Sequence, residues 1–242
     1  MKKRIAIFDL TDCEGCEITV TDLARKLVEK ENFEIVNWRL IQEKNSFDNI
    51  DIALVEGTVY SKDELDLLKL IRKKSKYLIA FGACAITGGV QALLTGKERQ
   101  EACKKIYHNR YKLKNPDLKP IDAYIKVDFR LPGCPPNPVQ VEKTFADILA
   151  GRPPQPITYP VCFECKKNEN PCLLKQGKVC LGPITRGGCN SICVNRGDHC
   201  WGCWGLNDEP AMKSLIRRLA TIGLSHDEIK KHLEVFWKNY EE

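Results

Sequence analysis

Strands alternating with helices through residues 1–150 predict a parallel, doubly wound α/β sheet of flavodoxin type, and a change of composition after Gly151 predicts a separate, irregular domain. Two observations carry the first part. Apolar runs rich in strand formers recur at residues 4–10, 33–41, 51–57, 77–84 and 124–131, and stretches with helical spacing lie between them. A third observation carries the second part: residues 161–207 hold eight cysteines, many glycines and almost no apolar periodicity.

The elements follow in order. RIAIFDL (4–10) is a strand that leads into the cysteine loop TDCEGC, after which ITVTDLARKLVEK places Ile18, Leu23 and Leu27 at helical spacing. FEIVNWRLI (33–41) and DIALVEG (51–57) are strands, and Ser61 with Glu64 forms a capping box for the helix DELDLLKLIRKK. YLIAFGAC (77–84) is a buried strand running into a Gly-rich loop, and YIKVDFRL (124–131) leads into PGCPPNP. The helix PVQVEKTFADILA closes the first domain, 1–150. The proline-rich link PPQPITYP opens the cysteine-rich domain, 151–207, which cannot build an ordinary core and draws its ordering free energy from metal. Residues 208–242 form a helical tail. Asp208 caps a helix with Pro210 in its first turn that runs to Gly223, and Ser225 with Glu228 opens a second containing Ile229, Leu233, Phe236 and Trp237.

Composition narrows the function. The 13 cysteines are an odd number, and the opening MKKRIAIFDL carries an apolar run too short for a secretory signal, so a disulfide framework is not expected. No stretch reaches the roughly 18–20 apolar residues of a membrane span. The expected location is a reducing cytoplasm, where thiols stay open to metals. The net charge of +6 divides evenly between residues 1–150 and 151–242, without the basic stripe that a nucleic-acid partner calls for.

Twelve cysteines fall into three sets of four: Cys13, Cys16, Cys84, Cys134; Cys162, Cys165, Cys172, Cys180; and Cys189, Cys193, Cys200, Cys203. Four thiolates bind one zinc ion or one iron–sulfur cubane, and cubanes are commonly strung together for electron transfer. The first set follows the predicted strands, and in such a sheet ligands collect beyond the carboxyl ends of the strands. Cys103, in the helical stretch ERQEACKKIYH, is read as a bystander. His108, His199, His226 and His232 are read as surface or supporting residues, with His199 beside Cys200 placed to hydrogen-bond a cluster sulfide. GGVQALLTGKER has the wrong spacing for a phosphate loop, and no Gly-rich dinucleotide turn follows the first strand.

CEGC (13–16), GACAITGG (82–89) and PGCPPNP (132–138) together resemble the proximal-cluster signature of nickel–iron hydrogenase small subunits. CFEC, PCLLKQGKVCLGPITRGGCNSIC and HCWGC resemble the medial and distal cluster region of the compact cytosolic members, such as sulfhydrogenase delta subunits and the small subunit of methyl-viologen-reducing hydrogenases. The resemblance covers residues 4 to about 206 and implies three 4Fe-4S clusters. It implies a proximal cluster on Cys13, Cys16, Cys84 and Cys134, a distal one on Cys162, Cys165, Cys172 and Cys180, and a medial one on Cys189, Cys193, Cys200 and Cys203. Cys162 stands where periplasmic members carry a histidine, and Cys193 where many carry a proline, which implies a four-iron medial cluster of lower potential. Clusters also interleave ligands, so Cys180 and Cys189 exchange places in an alternative grouping.

The resemblance therefore implies an electron-relay subunit without a catalytic constellation of its own. The expected partners are a nickel–iron large subunit that covers the proximal site, and a flavin/iron–sulfur subunit of diaphorase type or one of heterodisulfide-reductase type. Glu17 is a candidate proton relay, against the simpler reading that it favours the start of its helix. Two alternatives stand beside this reading. One is the iron–sulfur subunit of a complex I-like oxidoreductase, which uses adjacent cysteines in its first motif. The other is a zinc ribbon on Cys162/Cys165 and Cys200/Cys203, which leaves the first four cysteines without a role.

Overall fold

The computed structural model describes residues 2–21, 23, 25, 33–108, 110–115, 117–152, 154–155 and 157–238. The chain divides into two compact units, Met1–Glu142 and Lys143–Glu242.

In the first unit five strands pair in parallel: β1 (Lys3–Asp9), β2 (Phe33–Trp38), β3 (Ile50–Glu56), β4 (Ser75–Phe81) and β5 (Phe129–Leu131), in spatial order β2-β1-β3-β4-β5. This is the flavodoxin-type order, with the topological switch between β1 and β3, and it is there that such sheets leave a crevice beyond their carboxyl ends. The central strands are covered on both faces, which is why DIALVEG reads as a continuous apolar run: Ala53, Leu54 and Val55 are all buried.

The described helices of this unit are α1 (Gly15–Thr19), α2 (Lys62–Lys74), α3 (Gly82–Thr87) and α4 (Gly96–Tyr107), with short 3₁₀ turns at Gly89–Ala92 and Ile121–Ala123. One core cluster joins Phe8, Val36, Ala53, Val55 and Leu78 to Leu68 and Ile71 of α2. Burying each such large apolar side chain contributes about 1.5–3 kcal/mol. The expected capping box opens α2: Ser61 Oγ accepts from Glu64 N at 3.2 Å, and Glu64 Oε2 accepts from Ser61 N at 2.9 Å. Glu64 Oε1 also accepts from Thr11 Oγ1 at 2.9 Å, so the cap that starts α2 steadies the loop leading to Cys13.

Several sequence expectations shift. The strand read over 33–41 ends at Trp38, whose carbonyl accepts turn bonds from Ile41 N and Gln42 N, both at 3.1 Å. The strand read to Cys84 stops at Phe81, because Gly82 takes φ +85° and turns the chain into α3; Cys84 is therefore helical. The strand read over 124–131 shortens to Phe129–Leu131, since Asp128 accepts Leu78 N on its side chain at 2.8 Å and bonds Arg72 at 2.5 Å. Of the three positions read at helical spacing, Ile18 is 59% exposed and Leu23 is buried, and Leu27 lies outside the described residues.

The helix α5 (Pro138–Leu149) contains the division between the units. The second unit then carries α6 (Val161–Lys167), α7 (Ile192–Asn195), α8 (Met212–Thr221) and α9 (His226–Trp237). Its buried cluster is Val161, Leu173, Cys180, Val194 and Cys200, with Cys165, Leu174 and Cys189 packed against it. Sulfur packs among aliphatic carbon in this core. The C-terminal helices pack on the same unit: Trp237 Nε1 donates to Gly202 O at 2.9 Å and Arg218 Nη2 to Leu174 O at 2.6 Å. The Ser225–Glu228 capping box forms as expected, but Asp208 does not cap α8; it pairs with Arg186 at 2.6 Å instead.

Candidate metal centres

The first four cysteines meet at the switch point. β1 leads to a turn in which Asp12 Oδ1 accepts from Glu14 N at 2.8 Å and Glu14 sits at φ 58°, which sets Cys13 and Cys16 on either side of Gly15. The end of β3 supplies Glu56, 1% exposed, whose carboxylate accepts Cys16 N at 3.2 Å and Glu17 N at 2.9 Å. Amides at the start of α1 that have no partner within the helix are thus satisfied by a remote acid. Cys84 comes from α3 and Cys134 from the turn closed by the Gly133–Pro136 bridge, with a cis Cys134–Pro135 bond. Ala83 N donates to Gly133 O at 2.7 Å, which ties these two segments together.

The four thiols stand within electrostatic reach of one another. Burial, then Glu56, raises the Cys16 thiol, with Cys84 and Cys134 adding to the effect. Burial pushes Cys84 up to about 12, with Cys134 and Cys13 next. Cys134 rises through burial and then Cys13. Cys13 and Cys134 are exposed while Cys16 and Cys84 are buried, so the site opens to the surface on one side. Each of three sulfurs lies against a glycine. A Cβ on Gly15 would stand 3.3 Å from Cys13 Sγ, one on Gly89 would stand 2.9 Å from Cys84 Sγ, and one on Gly82 would collide with Cys16 Sγ.

Cys162, Cys165, Cys172 and Cys180 form a second group. The Cys162 thiol is pushed to about 12 by burial, followed by Cys180, Cys165 and Cys172. Cys165 rises through burial and then through Cys180 and Cys172. Gly182 completes this cradle, since its Cβ would meet Cys162 Sγ at 3.4 Å and Cys180 Sγ at 3.5 Å. The remaining cysteines come as two pairs. Burial is the largest cause that raises Cys189 and Cys200, and Cys193 adds to the first as Cys203 adds to the second. Cys180 acts on Cys193 and Cys200 too, so it stands on the border between the two groups.

Other sequence candidates are placed as follows. Cys103 joins no group; it lies on α4 in a groove with Leu94, Ile106 and Tyr111. His199 Nδ1 lies 3.0 Å from Asp198, its ring is 4.0 Å from Trp201, and its Nε2 is buried without a hydrogen-bond partner among the described residues. Glu17 is 1% exposed: Trp38 Nε1 donates to its Oε2 at 2.8 Å, its Oε1 has no partner among the described residues, and burial lifts it to about 7.

Sequence reasoning missed two acids. Glu56 was visible as the charged end of an apolar strand, and Glu164 as the acid inside CFEC; neither spacing rule points to its role. Glu164 is buried, accepting Gly188 N at 2.7 Å and Ser191 N at 3.2 Å.

The donor sets fit iron–sulfur clusters. In the first two groups four thiols, several of them beside Cβ-free surface, suit all-cysteine ligation of a bulky cluster, and bound iron would favour the thiolate form that burial, and then neighbouring charge, opposes at Cys16, Cys84 and Cys162. Among the described residues no three His, Cys, Asp or Glu side chains are grouped to hold a single metal ion, which is what a zinc ribbon requires.

Residues 13–148 match the family described as NADH ubiquinone oxidoreductase, 20 Kd subunit. Over 241 residues the chain is 39% identical to sulfhydrogenase 2 subunit delta of Pyrococcus furiosus, covering 96% of this chain and 98% of that one. It is 33% identical to a vhu subunit of the F420-non-reducing hydrogenase of Methanocaldococcus jannaschii, covering 85% and 83%. Among solved structures, a chain of an NAD+-reducing [NiFe]-hydrogenase aligns with TM-score 0.55 and 28% identity over 64% of this chain and 96% of that one. A chain of the Dm. baculatum [NiFeSe]-hydrogenase shares the fold with TM-score 0.58 at 18% identity, over 88% and 98%. The family match ends at residue 148, whereas the sulfhydrogenase relative continues through the cysteine-rich unit, so the chain belongs to the NADH ubiquinone oxidoreductase 20 kDa subunit family and, within it, to the hydrogenase subunits.

Proposed function

We propose that this chain is the electron-relay subunit of a nickel–iron hydrogenase, holding three 4Fe-4S clusters on Cys13/Cys16/Cys84/Cys134, Cys162/Cys165/Cys172/Cys180 and Cys189/Cys193/Cys200/Cys203. Such clusters, when bound, supply one-electron transfer at potentials set by charge, hydrogen bonding and burial. The observation that carries the reading is the convergence of the first four cysteines, from segments that follow β1, β4 and β5, beyond the carboxyl edge of the sheet.

The residues of the chain have definite tasks in this reading. Cys16 and Cys84 hold the buried side of the proximal site, and Glu56 fixes the amides of the CEGC turn. Cys13 and Cys134 face outward, so a large subunit seated there would exclude water and receive or deliver electrons at the shortest distance. The exposed Ile18 near this opening would be covered as well. Cys180, on the border of the last two groups, supports their close succession. Glu17 is the candidate proton relay, its buried carboxylate having one oxygen open among the described residues. No helix among the described residues is long and apolar enough to cross a membrane, and a cytoplasmic complex is the location proposed. The relative in Cupriavidus necator is named as the delta subunit of an NAD-reducing hydrogenase, which supports a diaphorase-type subunit as the onward partner.

The test is anaerobic purification of the complex from its host, with iron, zinc and sulfide assay and electron paramagnetic resonance of each reduced cluster. About twelve irons per chain and three separable signals are expected. Zinc without iron, or about four irons, would refute three clusters. Full turnover in Glu17→Gln would remove the relay.

A further inference from the structure

Glu164 is the one acid placed inside a cysteine motif of the second unit, and its surroundings are built around it. It lies on α6 between Cys162 and Cys165, and it is buried. Its Oε1 accepts Gly188 N at 2.7 Å and lies 3.4 Å from the donating Tyr159 hydroxyl; its Oε2 accepts Ser191 N at 3.2 Å and lies 3.9 Å from Cys189 Sγ. Both backbone donors belong to the loop that carries Cys189, so one carboxylate on the helix of the second cysteine group is wrapped by the backbone of the third.

The wrapping carries conformational cost, which shows that the loop is shaped to it. Asn190 and Ser191 both sit in the left-handed region, at φ 56° and 49°, and Gly188 takes φ +116°. Non-glycine residues occupy that region uncommonly, and doing so twice in succession needs support from elsewhere. The support is visible. Asn168 Nδ2 donates to Asn190 O at 3.0 Å and to Ser191 Oγ at 2.9 Å, and Asn195 Nδ2 donates to Asn190 O at 2.8 Å. Gly187 and Gly188 are hemmed in by the rings of Tyr159 and Trp204, against which a Cβ would collide. These contacts hold the Gly188 and Ser191 amides on the carboxylate. The two amides and the Tyr159 hydroxyl all donate, which suits an acceptor-only anion.

We infer that Glu164 sets the reduction potential of the cluster held by Cys189, acting as a fixed negative charge beside that ligand and as the brace between the two cysteine groups. This rests on the proposed assignment of Cys189 as a cluster ligand. A buried carboxylate next to a thiolate ligand opposes the arrival of an electron, so it lowers the midpoint potential of that cluster, and its effect falls with distance from the charge. Glu164 is a positioning residue, and it neither binds substrate nor carries an electron itself.

The experiment is a redox titration of the anaerobically purified full complex, followed by electron paramagnetic resonance, with Cys189→Ala, Glu164→Gln and Glu164→Asp. Cys189→Ala should abolish or convert one signal and so identify its cluster; if all signals persist unchanged, the ligand assignment fails, and that failure is read without any Glu164 variant. Glu164→Gln keeps the shape and removes the charge. With cluster content intact, the midpoint of the Cys189 cluster should move to a more positive value. An unchanged midpoint, or a move to a more negative value, would overturn the inference. If Glu164→Gln loses the cluster, Glu164→Asp should retain it with a midpoint on the native side; loss in both variants would make Glu164 a folding residue only and overturn the inference.

Discussion

Replacing Gly82 with alanine tests the proximal cradle most directly. Gly82 has φ +85°, and a Cβ there would overlap Cys16 Sγ. Two costs follow. Placing an L-residue in this region costs about 1–2 kcal/mol, and forcing an atom into a packed site costs about 1–3 kcal/mol more. Gly197 separates them, because it has the same φ of +85° and nothing within 4 Å of its Cβ. Gly197→Ala is expected to show the backbone cost alone. Gly82→Ala should lose stability by about 2–5 kcal/mol in denaturant unfolding. It should also lose about four irons per chain together with the proximal signal, because Cys16 cannot keep its position. A Gly82→Ala protein with full iron content and a midpoint equal to that of Gly197→Ala would refute the claim that the cradle depends on a missing side chain.

Further outcomes are expected elsewhere in the chain. Trp38→Phe leaves the buried Glu17 carboxylate without its donor, at a cost of about 1–3 kcal/mol, and combination with Glu17→Leu should cost clearly less than the two single changes together; simple additivity in urea unfolding would count against the pair. Leu78→Ala, at a fully buried position of β4, should destabilise by about 2–5 kcal/mol in urea unfolding. Ser225→Ala removes the cap of α9 and should cost about 1 kcal/mol, read as a lowered Tm. The Ser225 hydroxyl also holds Glu228 below the usual carboxylate range, so this share of the support is present at neutral pH and is lost as the pH falls from that range through the lowered value; the difference between wild type and Ser225→Ala should narrow in acid by circular dichroism, leaving the part due to the Glu228 N–Ser225 Oγ bond.

The alternation of apolar runs with helical stretches was enough to specify the parallel sheet, because each buried strand must be apolar on both faces and each crossover must offer one apolar face. The capping boxes at Ser61 and Ser225 were legible for a local reason: both partners lie within one turn. Asp208 had the same local look, yet Arg186, distant in sequence, takes it for an ion pair. Cysteine number and spacing likewise pointed to metal, since an odd set of thiols in CxxC steps suits ligation better than disulfide pairing. What spacing could not supply was which remote groups complete each site. Glu56 reaches the CEGC turn only because β3 lies beside β1.

By itself, then, the order of residues determined the sheet, the helix starts at Ser61 and Ser225 and the twelve candidate sulfur donors, for these depend on periodicity, local capping and chemical type. Only the tertiary structure decided that Gly82 and Gly182 lie against sulfur, that Glu164 is enclosed by the Cys189 loop and that Trp237 covers Gly202. Those contacts join segments far apart along the chain, and their energies exist only once the sheet and the cysteine-rich core have brought them together.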